Sequence, residues 1–314
     1  MIIIINGERN KMANKVVIVG TGNVGMSYAF ALLNQRTHAD ALYLIDINRA
    51  DADGEVLDLR NCLGFSPSNL KIRSGRYSDC KDADLIVITA GARQEIGETR
   101  MDLIQKNAKI FRDMIGEIMS SGFNGIFLVV SNPVDIMTYL TYKYSGLPRA
   151  KVIGSGTTLD TSRLMYHVGH ELKIDPKSVH AFVIGEHGDS ELVAWNEGDI
   201  GLESLHSFLS EEQMARIEEK VKNEAYEIIK RKGSTHYGIG MALARITNAI
   251  LSNENAVLPV SNYDPFSKTF FGYPAVVGRS GIKRRVALEL VLSEQRKLEK
   301  SIEVLRSAIG TLLG

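Results

Sequence analysis

Cysteine is scarce in this chain of 314 residues, which has only Cys62 and Cys80. Two thiols cannot make a disulfide framework, and they suit a reducing compartment in which both stay inert. Excess charge is missing too, since 37 Lys and Arg balance 37 Asp and Glu. No global field therefore points to nucleic acid or to an anionic membrane. Long apolar runs are also absent. Met1-Ile2-Ile3-Ile4-Ile5 is cut short by polar Asn6 to Lys11, so it lacks the apolar length of a signal peptide. No later stretch approaches a membrane span, and a cytoplasmic location is expected. Met12 precedes Ala-Asn-Lys-Val-Val-Ile-Val-Gly, so residues 1–11 read as a dispensable leader or the result of an alternative start.

The chain has 44% hydrophobic and 24% charged residues, an ordinary composition for a globular protein, and its length suggests two domains. Short apolar runs at 16–20, 41–46, 71–74, 85–90, 125–130 and 152–153 alternate with helical patterns at 24–34, 49–59, 99–121 and 134–144. Several runs are continuously apolar, as strands of a parallel sheet covered on both faces must be. The rhythm changes after Gly154. Helical patterns at 159–172, 211–231, 238–251 and 293–313 are mixed with strand-like pieces at 179–184, 192–195, 256–260 and 269–277. The expected fold class is α/β: a doubly wound parallel sheet of the Rossmann type over 1–153, then a mixed α+β substrate domain over 154–314.

Gly20-Thr21-Gly22-Asn23-Val24-Gly25 follows the first apolar run and opens a helical pattern. In that context the first glycine makes the tight turn and the second lets a pyrophosphate approach the backbone. The third lets helix and strand pack closely, while the helix N-terminus favours phosphates. Asp46 closes the second strand at about the spacing expected of a ribose-binding acid, and its charge would repel a 2′-phosphate. NAD is therefore expected over NADP. The plainer reading makes Asp46 a strand-end turn residue.

Gly185-Glu186-His187-Gly188-Asp189 sets a histidine among small residues with acids close by, as a proton donor and acceptor working near neutral pH requires. Asp160 can orient the imidazole and raise its pKa. Arg163, three residues later on the same helix, offers a planar two-pronged grip on a carboxylate. By spacing alone, Asp160 and Arg163 also fit a surface ion pair. The polar segment Gly91 to Arg100, with glycines near its start and end, has the character of a closing lid. His167 and His170 share a helix face, but no further ligand cluster accompanies them, so helix polarity explains them better than a metal.

The ordered motifs GTGNVG, ITAGARQEIGETR, SNPVD, GSGTTLD with Arg163, GEHGD and KGSTHYG resemble the lactate/malate dehydrogenase family, nearest its bacterial members. The resemblance runs from about Lys15 to the C-terminal helix. It implies that NAD is the cofactor and that a 2-hydroxy acid is oxidised or its 2-oxo acid reduced. His187 then matches the proton donor, Asp160 its partner, Arg163 the carboxylate clamp and Arg100 the lid arginine that polarises the carbonyl. Asn132, before a cis Pro133, matches a residue that bonds the substrate oxygen. Thr235 matches a substrate-pocket residue, while Ile239 and Val130 lie by the nicotinamide and Arg93 by the phosphates. A homotetramer, or a dimer–tetramer equilibrium, is implied as well.

Gln94 matches the lid position that discriminates substrates, where malate enzymes carry arginine. Without that cation a buried second carboxylate would stay uncompensated, so pyruvate and lactate are expected over oxaloacetate and malate. A dehydrogenase for bulkier 2-hydroxy acids, or an NAD-fold protein without catalysis, is the alternative. Glu95-Ile96 replaces the usual bacterial Lys-Pro and implies weaker or slower lid closure. His180 matches a histidine that binds fructose 1,6-bisphosphate in relatives, but Met165 stands where the partner arginine belongs. Activation by the bisphosphate is therefore expected to be weak or absent, read as an unchanged pyruvate half-saturation on adding it.

Overall fold

The computed structural model describes residues 14–92 and 100–313, apart from the side chains of Arg100 and Leu313. The first half alternates β1 (Lys15–Val19), α1 (Asn23–Asn34), β2 (Ala41–Ile45), α2 (Arg49–Asn61), β3 (Lys71–Ser74), β4 (Leu85–Ile88), α3 (Arg100–Ser120), β5 (Ile126–Val129), α4 (Val134–Ser145) and β6 (Val152–Gly154). These strands pair in parallel in the order β3-β2-β1-β4-β5-β6. Every residue of β1, β4 and β5 is buried, which explains their unbroken apolar runs. One face packs on α1 and the later helix α7 (Tyr237–Leu251), through Leu32, Leu243 and Ile246. The other face packs on α3 and α4, through Phe111, Ile115 and Met137.

The second half adds α5 (Thr158–Leu172), β7 (Val183–Ile184), β8 (Leu192–Val193), β9 (Asp199–Ile200), β10 (Glu203–Ser204) and α6 (Glu211–Lys232) before α7. After α7 come β11 (Ala256–Asp264), β12 (Thr269–Gly278), β13 (Gly281–Arg285) and α8 (Leu292–Leu313). Leu164 and Val168 of α5 pack with Ile217 and Val221 of α6 in a separate apolar cluster. The strands β11 to β13 do not form a sheet of their own. They extend the first sheet antiparallel, β11 meeting β6 at Ser261 and Gly154, so nine strands are continuous among the described residues. That continuity needs small residues: a Cβ on Gly156 (φ +54°) would lie 2.2 Å from the Ser261 nitrogen. The stretch read as a strand at 179–184 narrows to Val183–Ile184, because His180 leaves to bridge Asp199 and Gly185 turns at φ +95°. Among the described residues no helix is long and apolar enough to cross a membrane.

Candidate active site

The strand order reverses between β1 and β4, and in such sheets the crevice beyond the strand ends at that point receives ligands. Gly20 makes the turn out of β1 with φ +104°, its N–H donating to Ile45 O at 2.8 Å. A side chain there would meet Ala90 backbone at 2.5 Å, and one on Gly25 would meet Gly20 O at 2.2 Å. Gly22 differs: nothing lies within 4 Å of where its Cβ would stand. It is the N-cap of α1 and supplies no side-chain cap, so the helix N-terminus faces open space. These features fit the pyrophosphate of a dinucleotide.

Asp46 fills the strand-end turn role. Its Oδ2 accepts from Thr21 N at 2.8 Å and Thr21 Oγ1 at 3.1 Å, and its Oδ1 from Asn48 N at 3.0 Å. The carboxylate thus braces the glycine turn, and with about four acceptor positions it keeps room for a ribose hydroxyl. Across the turn, Asn23 Nδ2 donates to Ser234 Oγ at 3.1 Å, which draws the segment holding Thr235 toward the α1 N-terminus. Val24 and Ile239 rest half-buried on the core, and Val130 is buried at the end of β5.

The two variants Gly22→Ala and Gly25→Ala should therefore separate binding from folding. Gly22→Ala is expected to melt like the parent yet bind NADH at least about tenfold more weakly, since a methyl in that space opposes the pyrophosphate by ~1–3 kcal/mol. Gly25→Ala should lower the melting temperature as well. Thermal melts and NADH fluorescence titrations check both, and equal NADH affinity in Gly22→Ala would remove the phosphate role.

The loop carrying His187 is held from four elements. Gly185 exchanges backbone hydrogen bonds with Gly272 of β12, and Glu186 N donates to Ser301 Oγ of α8 at 2.8 Å. His187 N donates to Asp135 Oδ2 of α4 at 2.8 Å, while Ser261 of β11 donates to the other oxygen of that carboxylate at 2.5 Å. The start of α5 is tied to β7 by Thr157 Oγ1, which donates to Val183 O at 2.6 Å, and by Thr161 Oγ1, which accepts from Val183 N at 3.0 Å. This brings Asp160 against the imidazole: His187 Nδ1 lies 2.6 Å from Asp160 Oδ2. Arg163 Nη1 donates to Asp160 Oδ1 at 2.7 Å. The Asp160–Arg163 pair is buried, with side chains 2% and 7% exposed, rather than the surface pair that spacing alone allowed.

The electrostatics favour a protonated imidazole. Burial alone depresses the His187 pKa, but the charge and hydrogen bond of Asp160, helped by Glu191 and Asp135, raise it to about 9. Asp160 is pushed up by burial, yet His187 and Arg163 outweigh that and hold its carboxyl below the usual range. Burial dominates at Asp135 and lifts it to about 6, despite its bonds to Ser261 and to His187 N–H.

Asn132 precedes a cis peptide to Pro133, as expected, and lies exposed at the end of β5. Buried Asn107 of α3 ties this point to Ala92 beyond β4, donating from Nδ2 to Asn132 O at 3.2 Å and accepting from Ala92 N at 2.8 Å. Sequence reasoning passed over Asn107, Glu191 and the positioning roles of Asp135 and Ser301. Asp135 stood in the quoted SNPVD motif, whereas the others carry no local signal. Arg93, Gln94, Glu95 and Ile96 lie outside the described residues, as do residues 1–11 and the side chain of Arg100.

The remaining candidates fall elsewhere. His180 is exposed, its Nδ1 3.2 Å from Asp199 Oδ1, and Met165 packs at the margin of the α5–α6 cluster. His167 is not solvent-facing polarity: its Nε2 meets Glu224 Oε2 of α6 at 2.6 Å, while His170 stacks on Tyr166. Cys80 is buried, which pushes its thiol up to about 12, and both cysteines are free.

Comparison with known proteins agrees with this geometry. Residues 14–154 match the NAD-binding domain of lactate/malate dehydrogenase, and residues 157–313 match the α/β C-terminal domain of the same family. L-lactate dehydrogenase 2 of Bacillus cereus is 50% identical over 313 residues, covering 96% of this chain and 99% of the relative. L-lactate dehydrogenase 1 of the same species is 47% identical over the same span. The ligand-bound crystal structure of the minor L-lactate dehydrogenase from Enterococcus mundtii superposes with a TM-score of 0.94 at 45% identity, covering 96% of this chain and 98% of that one. Its ligand-unbound form gives 0.88 at 43% identity, covering 96% and 98%.

Proposed function

Because this chain belongs to the lactate/malate dehydrogenase family, we propose that it interconverts pyruvate and L-lactate with NAD as cofactor. The observation that carries the reading is the hydrogen-bonded relay of Arg163, Asp160 and His187, together with a glycine turn that has room for a pyrophosphate. The turn at Gly20, Gly22 and Gly25, the α1 N-terminus and Asp46 hold the dinucleotide, with Val130 and Ile239 as apolar packing for its nicotinamide. When bound, NAD supplies the acceptor, and NADH the donor, of a hydride at the substrate C2.

The chain's own residues do the rest. With Nδ1 engaged by Asp160, His187 presents Nε2 to the substrate oxygen. In reduction it gives that oxygen a proton as C2 gains the hydride. In oxidation, neutral His187 takes the proton back. Arg163 keeps four N–H donors beyond the one on Asp160 and grips the substrate carboxylate. Asn132 and Arg100 act on the carbonyl oxygen, Thr235 lines the pocket, and lid closure over them excludes water.

Gln94 supports the choice of pyruvate, since it offers a second carboxylate no cation. His180 exposed beside Asp199, with Met165 in place of an arginine, supports weak response to fructose 1,6-bisphosphate. Two free thiols support a reducing, cytoplasmic setting, and the pyruvate–lactate reaction itself supports a fermentative place downstream of glycolysis. The family resemblance supports a homotetramer or a dimer–tetramer equilibrium, with a domain boundary near residue 154. The test is NADH oxidation with pyruvate and with oxaloacetate side by side. A kcat/KM at least about tenfold higher for pyruvate is expected, the discrimination that ~1.4 kcal/mol of uncompensated charge provides. Preference for oxaloacetate would refute the substrate choice.

A further inference from the structure

Glu191 is 4% exposed, yet among the described residues its carboxylate forms no ion pair within 4 Å and no hydrogen bond. It stands just before β8 and reaches the catalytic pair: one ligand atom each of Asp160, His187 and Glu191 lie within 4.8 Å of one another. Glu191 is also among the residues that line a cavity of about 340 Å³ between α6 and α8, with Glu218, Lys222, Lys297 and Lys300 around it. The two nearer lysines are already engaged, Lys222 at 3.3 Å and Lys297 at 3.2 Å from Glu218 Oε1. A metal is a poor fit to this cluster, because the Arg163 guanidinium already sits 2.7 Å from Asp160 and would repel a second cation there.

We propose that Glu191 is a third member of the acid–base cluster, a positioning residue whose carboxyl supports the proton on His187 alongside Asp160. The groups facing it are Asp160 and Arg163 from α5, His187 from the loop after β7, and Lys222 from α6. Burial, reinforced by the Asp160 charge, lifts its carboxyl well above the usual range. As the pH climbs, its ionisation is favoured by the imidazolium and in turn favours it, so His187 stays protonated to higher pH.

The inference rests on the role given to His187 under the proposed function. The test is the pH profile of kcat/KM for pyruvate in the full-length enzyme. In Glu191→Gln, of the same size but unable to ionise, the alkaline limb should move about one unit toward neutrality, the shift a charge at this range produces. Glu191→Asp, which can still ionise, should bring the limb back toward the parent. A limb that does not move, with or without a uniform fall in kcat, would make Glu191 a packing residue only. If Glu191→Gln does not fold, Glu191→Met, of similar size and equally unable to ionise, decides: a limb moved toward neutrality supports the role, and an unmoved limb overturns it. The His187 ring-nitrogen titration by NMR reads the same shift without substrate. Failure of the enzyme to turn over pyruvate would count against the proposed function, while that titration would still decide for or against Glu191.

Discussion

Replacing His187 with asparagine is expected to lower kcat for pyruvate reduction at pH 7 by about 10³-fold, within the range that a positioned general acid contributes. NADH affinity should stay close to the parent's, because the glycine turn and Asp46 lie on other elements. Asparagine keeps the backbone N–H that bonds Asp135, and Arg163 still neutralises Asp160, so the fold should survive. The pH dependence has a definite sign. With the imidazole raised from 6.5 to about 9, pyruvate reduction should hold steady across neutrality and fall as the pH rises through about 9. Lactate oxidation needs the neutral ring and should rise through the same point. Both limbs should vanish in the asparagine variant. A kcat within tenfold of the parent, or unchanged limbs, would give the proton to another group.

The same shift carries a stability consequence. His187 gains its partner on folding, so its folded pKa lies above its unfolded one. The stabilisation it contributes is full below about 6.5 and is lost as the pH rises toward about 9. Chemical denaturation at pH 6 and pH 9.5 should show the parent losing more stability across this interval than the asparagine variant.

Much of the fold was legible because its signals are local. Val16 to Val19, Leu85 to Ile88 and Ile126 to Val129 are apolar throughout, and a chain buries such runs on both faces only in a covered parallel sheet. Gly20 and Gly25 could be read as a turn because no other side chain fits where their Cβ atoms would clash with backbone. The junction of β11 with β6 was not legible, since it rests on one pairing between residues 107 positions apart and on the absence of side chains at Gly154 and Gly156. At the site, residues in contiguous motifs could be assigned: His187, Asp160 and the glycine turn. Asn107, Ser301 and Glu191 act through contacts that the topology makes and no motif spells. Asp46 shows a third case, where sequence offered two roles as rivals and the geometry shows the turn role while leaving acceptor positions for the other.

Arg163→Met should reduce kcat/KM for pyruvate by about 10³-fold, mostly through KM, because loss of one partner in a buried charge pair costs ~4 kcal/mol, or nearly three factors of ten. The argument turns on the two duties of one guanidinium. One N–H holds Asp160 at 2.7 Å and so helps fix the carboxylate that orients His187. The other donors remain for the substrate carboxylate. Arg163→Lys separates these duties, since an ammonium can keep the charge beside Asp160 but cannot offer a planar two-pronged grip. If Arg163 only braced Asp160, the lysine variant would keep the parent's KM, and the methionine variant would lose mainly kcat through a misplaced His187. With Arg163 as the clamp, the lysine variant should retain the alkaline limb near pH 9 and still show a KM raised by about tenfold or more, the worth of one charge-assisted bond. Steady-state kinetics on the two variants, with the His187 limb followed in each, therefore decide whether the relay ends at Asp160 or continues into the substrate.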